Sequence, residues 1–468
     1  MNKERVSTYL NYLLILLCGL GAFYLAANVV LFSSHPGDNF KLWQTLIIVP
    51  IVLGLFVALI TINIKRKLYK PNYVLIGLLS LLFIVNLISI LSYENSTPYA
   101  FTSANREFNY FLEVSFNAEQ RVTYIFSFLG VMLGSLLLLD IIHQVCDLKT
   151  VIKCVCFIVL VFALVAIIYG YVKFGKDRYF LLYKHLTDGE LYHASIPSFF
   201  ETKNEYAVVL FIALLAGLYL HHYYRKWFYL IVSFYALINI AHTLSKQMIL
   251  LGVVVFIAYL ICIFFTTFHK HKKLNIITVS IVGGVVVGLL VAWFIYLAAA
   301  HKIQAFMDTI YYTKGSDTMQ TRFFIWDKVM AIFNMNNWGR GIGHILFGNI
   351  LHEMNLMDTT SGEATARYSA HNAYFQYIGE GGILLLLAEL AVLGWAIYFG
   401  IRYFKQDKEQ SVLSLVVITG YMLVMIIESA SIGIAFTLDY AIITLMSVVP
   451  LIELGRKNNK IFLDKKTV

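Results

Sequence analysis

Charged side chains are what this sequence has least of. Asp, Glu, Lys and Arg together make up 13% of its 468 residues, about half the share that a soluble domain carries. A chain so poor in charge cannot cover itself with a water-facing surface, which excludes a soluble globular protein of this length. Cysteine is scarce as well, with Cys18, Cys146, Cys154, Cys156 and Cys262 all in or beside apolar runs. Cys154-x-Cys156 has no partner ligands at zinc spacing, so these thiols read as small buried hydrophobes. No HExxH, no DxD pair and no Cys/His cluster occurs, and nothing points to a metal. Internal repeats and low-complexity tracts are absent too. The first apolar run, from about Leu10 to Phe32, has no small-residue cleavage site and is too long for a signal-peptide core, so it reads as a retained first helix.

What the sequence has is apolar length. Hydrophobic residues make up 59% of the chain, in runs of about 20, enough for a helix to cross about 30 Å of hydrocarbon. Helices are expected near 9–32, 42–64, 73–92, 122–143, 151–172, 204–221, 227–244, 247–267, 275–298, 373–401, 411–430 and 434–453. The fold class is therefore all-α, a polytopic membrane protein of about 12 transmembrane helices. It divides into an N-terminal bundle (1–298), a large loop between the ninth and tenth helices (299–372), and C-terminal helices with a tail (373–468). The net charge of +9 sits in short connectors: Lys65-Arg66-Lys67 with Lys70, Arg225-Lys226, Lys270/Lys272/Lys273, Arg402/Lys405/Lys408, and Arg456-Lys457 with Lys460. That is the positive-inside pattern and not a nucleic-acid stripe. It puts both termini and these clusters in the cytoplasm, and the 299–372 loop outside.

The loop balances its charges and holds Tyr311, Tyr312, Trp326 and Trp338, a composition that folds. Asp317 with Gln320 reads as an N-cap and its partner, opening a helix from Thr318 to about Phe333. On it Arg322 and Trp326, four apart, share a face. Gly339-Arg340-Gly341-Ile342-Gly343 is a glycine-dense turn without the strand and third glycine of a dinucleotide fingerprint.

Where the loop enters the tenth helix stands His371-Asn372-Ala373-Tyr374-Phe375-Gln376-Tyr377-Ile378-Gly379-Glu380-Gly381-Gly382. Asn372, Gln376 and Glu380 recur every four residues and form one polar stripe. A carboxylate near a membrane helix end usually faces a polar cavity or a partner, although a capped helix with an interfacial stripe has the same spacing. Two further polar clusters are Thr202-Lys203-Asn204-Glu205-Tyr206-Ala207, also readable as a plain helix start, and Thr243-Leu244-Ser245-Lys246-Gln247, whose lysine can also snorkel. Together Arg322, Arg340, Arg367 and Lys246 supply cations, His371 a proton acceptor near neutral pH, and Glu380 a carboxylate. That set suits a reaction on an anionic, lipid-borne group.

These residues resemble the O-antigen ligase/O-antigen polymerase superfamily of bacterial envelope glycosyltransferases. The likeness is carried by His371-Asn372-x-x-x-Gln376-x-x-x-Glu380-x-Gly382, by Arg322-x-x-x-Trp326 and by Gly339-x-Gly341-x-Gly343. Ser245-Lys246 resembles the family's Ser-Arg pair and Asn204-Glu205-Tyr206-Ala207 its helix start, so the likeness spans about Phe199 to Leu390. It implies a GT-C-like, metal-independent transferase without cofactor. Such an enzyme takes a glycan from an undecaprenyl diphosphate carrier, on the outer face of the bacterial cytoplasmic membrane, and passes it to a glycan or glycolipid acceptor. Other polysaccharide-assembly proteins are the implied partners besides the bilayer. It also implies His371 as the catalytic residue, with substrate-binding roles for Arg322, Arg340, Lys246, Arg367, Glu380, Asn372, Gln376 and Trp326. Lysine at 246 keeps the charge of the family's arginine but loses its bidentate fork, which passes part of the diphosphate role to Arg340, Arg367 or Arg178. Tyr311, Tyr312 and Trp326 suit sugar stacking and interfacial anchoring alike.

Polymerase is the favoured activity, because nothing marks a particular non-lipid acceptor. A ligase to a different acceptor shares the same motifs. A glycolipid flippase is a rival reading from another class, but transporters show matched halves with interrupted helices, and no repeat is visible here.

Overall fold

Runs this apolar have to pair every backbone N–H and C=O internally once they are in hydrocarbon, and a helix does so. The computed structural model describes residues 3–30, 42–91, 99–103, 106–112, 118–188, 196–200, 203–268, 325–330, 333, 351, 370, 372–427 and 438–456. Helices dominate them: α1 (Lys3–Val30), α2 (Leu42–Lys65), α3 (Tyr73–Leu91), α4 (Ala118–Leu136), α5 (Ile142–Val145), α6 (Leu148–Asp188), α7 (Lys203–Tyr224), α8 (Phe228–Thr243), α9 (Lys246–Phe268), α10 (Ala373–Arg402), α11 (Lys408–Ile427) and α12 (Leu438–Ser447). Each expected membrane helix meets one of these, except that at 275–298, which lies outside the described residues. Among the described residues, eight helices are long and apolar enough to cross a bilayer, and Tyr9–Leu25 and Phe228–Thr243 are shorter apolar helices. The chain is thus a helical, multi-pass membrane protein.

One feature of the fold was not expected. The segment between α3 and α4 carries an antiparallel hairpin of β1 (Tyr99–Ser103) and β2 (Arg106–Leu112), with Phe101 opposite Phe108 and an irregularity between Tyr99 and Phe101. Of the 299–372 segment, residues 325–330 are helical, inside the stretch expected to be. The Asp317 cap, the helix start at Thr318 and the glycine turn lie outside the described residues.

The outward faces are apolar, with Val57, Ile158, Val172, Leu250 and Leu423 all exposed. In water such faces would be polar, whereas against acyl chains they need no partner. Helix α7 is the inverse case. Nearly every residue from Tyr206 to His221 is buried, because α6, α8, α9 and α12 surround it. Close approach to α8 depends on Gly217, where a Cβ would lie 3.0 Å from the Tyr229 carbonyl oxygen and collide with Ser233; small residues serve helix pairs in membranes this way.

Contacts between side chains sort the two ends of the bundle. Asn11 and Asn63 exchange amide hydrogen bonds of 3.2 and 3.3 Å, which sets the start of α1 beside the end of α2. The turn after α2 is tied to a five-residue π-helix, Leu137–Ile141, that continues α4. There the buried Asp140 accepts from the Tyr69 hydroxyl at 2.6 Å and the Asn72 amide at 3.2 Å. Lys149 at the start of α6 lies 4.0 Å over the Tyr223 ring at the end of α7. His222 reaches Asp407 in the α10–α11 connection and Glu409 in the first turn of α11, and Gly455 abuts Tyr403. The basic clusters at 65–70, 225–226, 402–408 and Arg456 therefore share one end.

Candidate functional site

The three polar clusters of the sequence share the opposite end. Helix α7 ends at the basic end, so Lys203, where it begins, lies at the far one. The start of α10 lies there too, because the Tyr374 hydroxyl reaches the Met422 carbonyl near the C-terminal end of α11, whose first turn holds Glu409 at the basic end. The Thr243–Gln247 break joins them: the Ile196 amide, just ahead of α7, donates to the His242 carbonyl at 3.2 Å. In that break Leu244 adopts a left-handed conformation (φ 56°) that ends α8, Ser245 is buried, and Lys246 begins α9. Ahead of α7, Phe199 and Phe200 stack at 4.6 Å, and Phe200 stacks on Tyr206 at 5.7 Å.

The start of α10 is built in detail. Asn372 is its N-cap: its side-chain oxygen accepts from the amides of Tyr374 at 2.9 Å and Phe375 at 3.1 Å, satisfying two of the donors that every helix start leaves open. One turn on, the Gln376 side chain folds back, and its oxygen accepts from the Ala370 amide at 2.9 Å. Its nitrogen donates to Glu380 Oε1. The Ala370 carbonyl accepts from the indole of Trp326 at 3.0 Å, and that indole stacks on Phe375 at 5.1 Å with 10° between the rings. Asn372, Gln376 and Glu380 are all buried. The Tyr374 hydroxyl donates to the Met422 carbonyl at 2.9 Å and fixes this end of α10 to α11. The first stretch of α10 ends at Gly382 (φ 68°, ψ −164°), a backbone conformation that glycine reaches without strain; beyond it the helix resumes at another angle.

Of the expected site residues, the structure brings together Trp326, Asn372, Gln376 and Glu380. Lys246 opens α9 at the same end. His371, Arg322, Arg340 and Arg367 lie outside the described residues, although His371 stands between Ala370 and Asn372, both firmly held. Sequence reading missed two features. The first is the main chain of Ala370, which no side-chain pattern announces. The second is Glu389, buried in α10 with no hydrogen-bond partner for its Oε1 among the described residues. An acidic residue within an apolar run was the available signal for it.

The other end carries its own charged cluster. Glu409 Oε2 lies 2.6 Å from Arg225 Nη1 and 2.9 Å from His222 Nδ1, and His222 Nε2 lies 3.4 Å from Asp407. Burial pushes the Asp407 carboxyl up, but the His222 ring and the Gln410 amide at 3.0 Å outweigh it and hold the group below the ordinary carboxylate range. Among the described residues, no group of His, Cys, Asp and Glu is arranged to hold a metal ion.

No curated protein matches the chain. A protein-family model does: residues 231–390 match the family described as O-antigen ligase. The matched stretch opens in α8 and closes in α10. It takes in the 243–247 break, Trp326 and the whole His371–Gly382 segment, and it leaves out Asn204–Ala207. The match covers about a third of the chain, and over that stretch the chain is similar to the O-antigen ligase family.

Proposed function

We propose that this protein is a glycosyltransferase of the bacterial cytoplasmic membrane that polymerises oligosaccharide units carried on undecaprenyl diphosphate. The observation that carries the transferase reading, whichever acceptor is used, is the O-antigen ligase match over 231–390, a stretch in which His371 follows the anchored Ala370 and precedes the anchored Asn372. On this reading the basic end of the bundle, with both termini, is cytoplasmic, and the reaction takes place at the opposite, outer end.

The chemistry needs little beyond placement and charge. A diphosphate leaves without protonation when cations hold its charge, a task for Arg322, Arg340, Arg367 and Lys246. The acceptor hydroxyl needs alignment and a base, which His371 supplies. No metal is required for either step. The apolar flanks of the helices hold the polyprenyl chain. Transfer to a different acceptor, as in a ligase, is the second reading, and the family description favours it.

The test is reconstitution in liposomes with a polyprenyl-diphosphate-linked oligosaccharide. Glycans lengthened by whole repeat units support the polymerase. Transfer that occurs only when a different acceptor is added supports the ligase. Movement of the glycolipid across the bilayer with no new glycosidic bond overturns both.

A further inference from the structure

We infer that Gln376 and Trp326 are positioning residues that hold the main chain on the N-terminal side of His371, with Glu380 fixing the orientation of the Gln376 amide. The inference rests on the proposed role of His371 and gives these three side chains a task other than reading substrate.

Ala370 is fully buried, and both of its backbone polar groups are held by side chains. Gln376 accepts its N–H at 2.9 Å, and Trp326 donates to its C=O at 3.0 Å. On the other side of His371, Asn372 is fixed twice. Its side chain caps α10, and its carbonyl accepts the Gln376 amide at 2.9 Å. The residues on either side of position 371 in the sequence are therefore both anchored, Ala370 by two side chains and Asn372 by the start of α10.

Glu380 matters because a glutamine amide can be placed either way round. An amide whose oxygen faces the Ala370 N–H must turn its nitrogen elsewhere, and Glu380 Oε1 accepts that nitrogen. A carboxylate oxygen that only accepts would reject the flipped amide, whose oxygen would face it. The stripe 372, 376, 380 thus acts as a relay: Glu380 sets Gln376, and Gln376 sets Ala370. Trp326 adds a link to the 299–372 segment. It comes from the helical residues 325–330, and its stacking on Phe375 seats that helix against α10. The Ala370 carbonyl therefore keeps its indole donor through the packing of residues 325–330 against α10.

The test compares steady-state kinetics of full-length variants in liposomes. Gln376→Leu should lower kcat by roughly 30- to 100-fold, the scale of a displacement of about 1 Å, with the donor KM within about two-fold of wild type. The double variant Gln376→Glu with Glu380→Gln keeps one oxygen facing the Ala370 N–H and turns the other carboxylate oxygen of residue 376 to an amide donor on residue 380, so kcat should return to within about five-fold of wild type. Trp326→Phe preserves the ring stack and deletes only the N–H donor. It is the mild variant should the others fold poorly, and it should lower kcat about ten-fold without moving KM. A raised KM with normal kcat in Gln376→Leu overturns the inference in favour of substrate contact. A folded double variant as inactive as Gln376→Leu, or an unchanged Trp326→Phe, overturns it too. His371→Ala, assayed alongside, separates the two claims. If it keeps full activity, the reading of His371 is wrong; if it is inactive while the relay variants behave like wild type, only the relay is wrong.

Discussion

Replacing Asn372 by alanine removes the oxygen that holds the Tyr374 and Phe375 amides at 2.9 and 3.1 Å. Loss of an N-cap costs about 1 kcal/mol, up to about 2. Asn372 is 4% exposed, so water cannot readily take over the two donors, and the cost should fall in the upper half of that range, about 1.5 kcal/mol. At about 1.4 kcal/mol for each factor of ten, opening of the first turn of α10 becomes roughly ten-fold more frequent. Hydrogen exchange on the purified protein reads this directly: the amides of Tyr374 and Phe375 should exchange about ten-fold faster in Asn372→Ala, while the core of α7 stays unchanged. Asn372→Ser, a comparable cap, should restore most of the protection. Because the frayed turn adjoins His371, transfer activity should fall with it. Unchanged exchange at these two amides would refute the capping argument, and faster exchange with full activity would refute the link from this turn to the reaction.

Two further predictions concern the frame. Gly217→Val sets a branched side chain against the Tyr229 carbonyl and Ser233; overpacking of this kind costs about 1–3 kcal/mol, which should appear as a lower melting temperature in detergent, with Gly217→Ala milder. The Asp407 carboxyl, held below the ordinary range, contributes stability that is present above the unfolded value of about 3.9 and lost as pH falls through the lower folded value. Melting temperatures measured from pH 6 down to pH 3 should therefore fall below about pH 4, and Asp407→Asn should flatten part of that decline.

The helices were legible because hydrocarbon leaves the backbone few choices: length and apolarity alone placed α2, α3 and α7 to α11 within a few residues, while α1 starts six residues earlier than expected and α6 runs on to Asp188, past the expected end at 172. The β1–β2 hairpin was not, because a short connecting segment is not forced into one structure in the same way. The spacing of Asn372, Gln376 and Glu380 announced a shared face. What that face meets is not set by spacing: the Gln376 side chain turns to the Ala370 backbone, six residues back along the chain and invisible to any side-chain pattern. Trp326 was read as a platform for sugar or an interfacial anchor, and its observed partners, Phe375 and the Ala370 carbonyl, are 40 and more residues away in sequence. The π-turn around Asp140 was hidden for a similar reason, since the acid is explained by Tyr69 and Asn72, which lie on another helical connection.

The central claim is that a single histidine at the outer mouth of this bundle serves as base for glycan transfer. The most direct measurement is the rate at which His371→Ala, purified and shown to be folded by its melting curve, converts a polyprenyl-diphosphate-linked oligosaccharide in liposomes. The account predicts a loss of about 10²-fold or more, the usual contribution of a general base, with the lipid-linked donor still bound. A folded His371→Ala protein that lengthens or transfers glycan at the wild-type rate would contradict it.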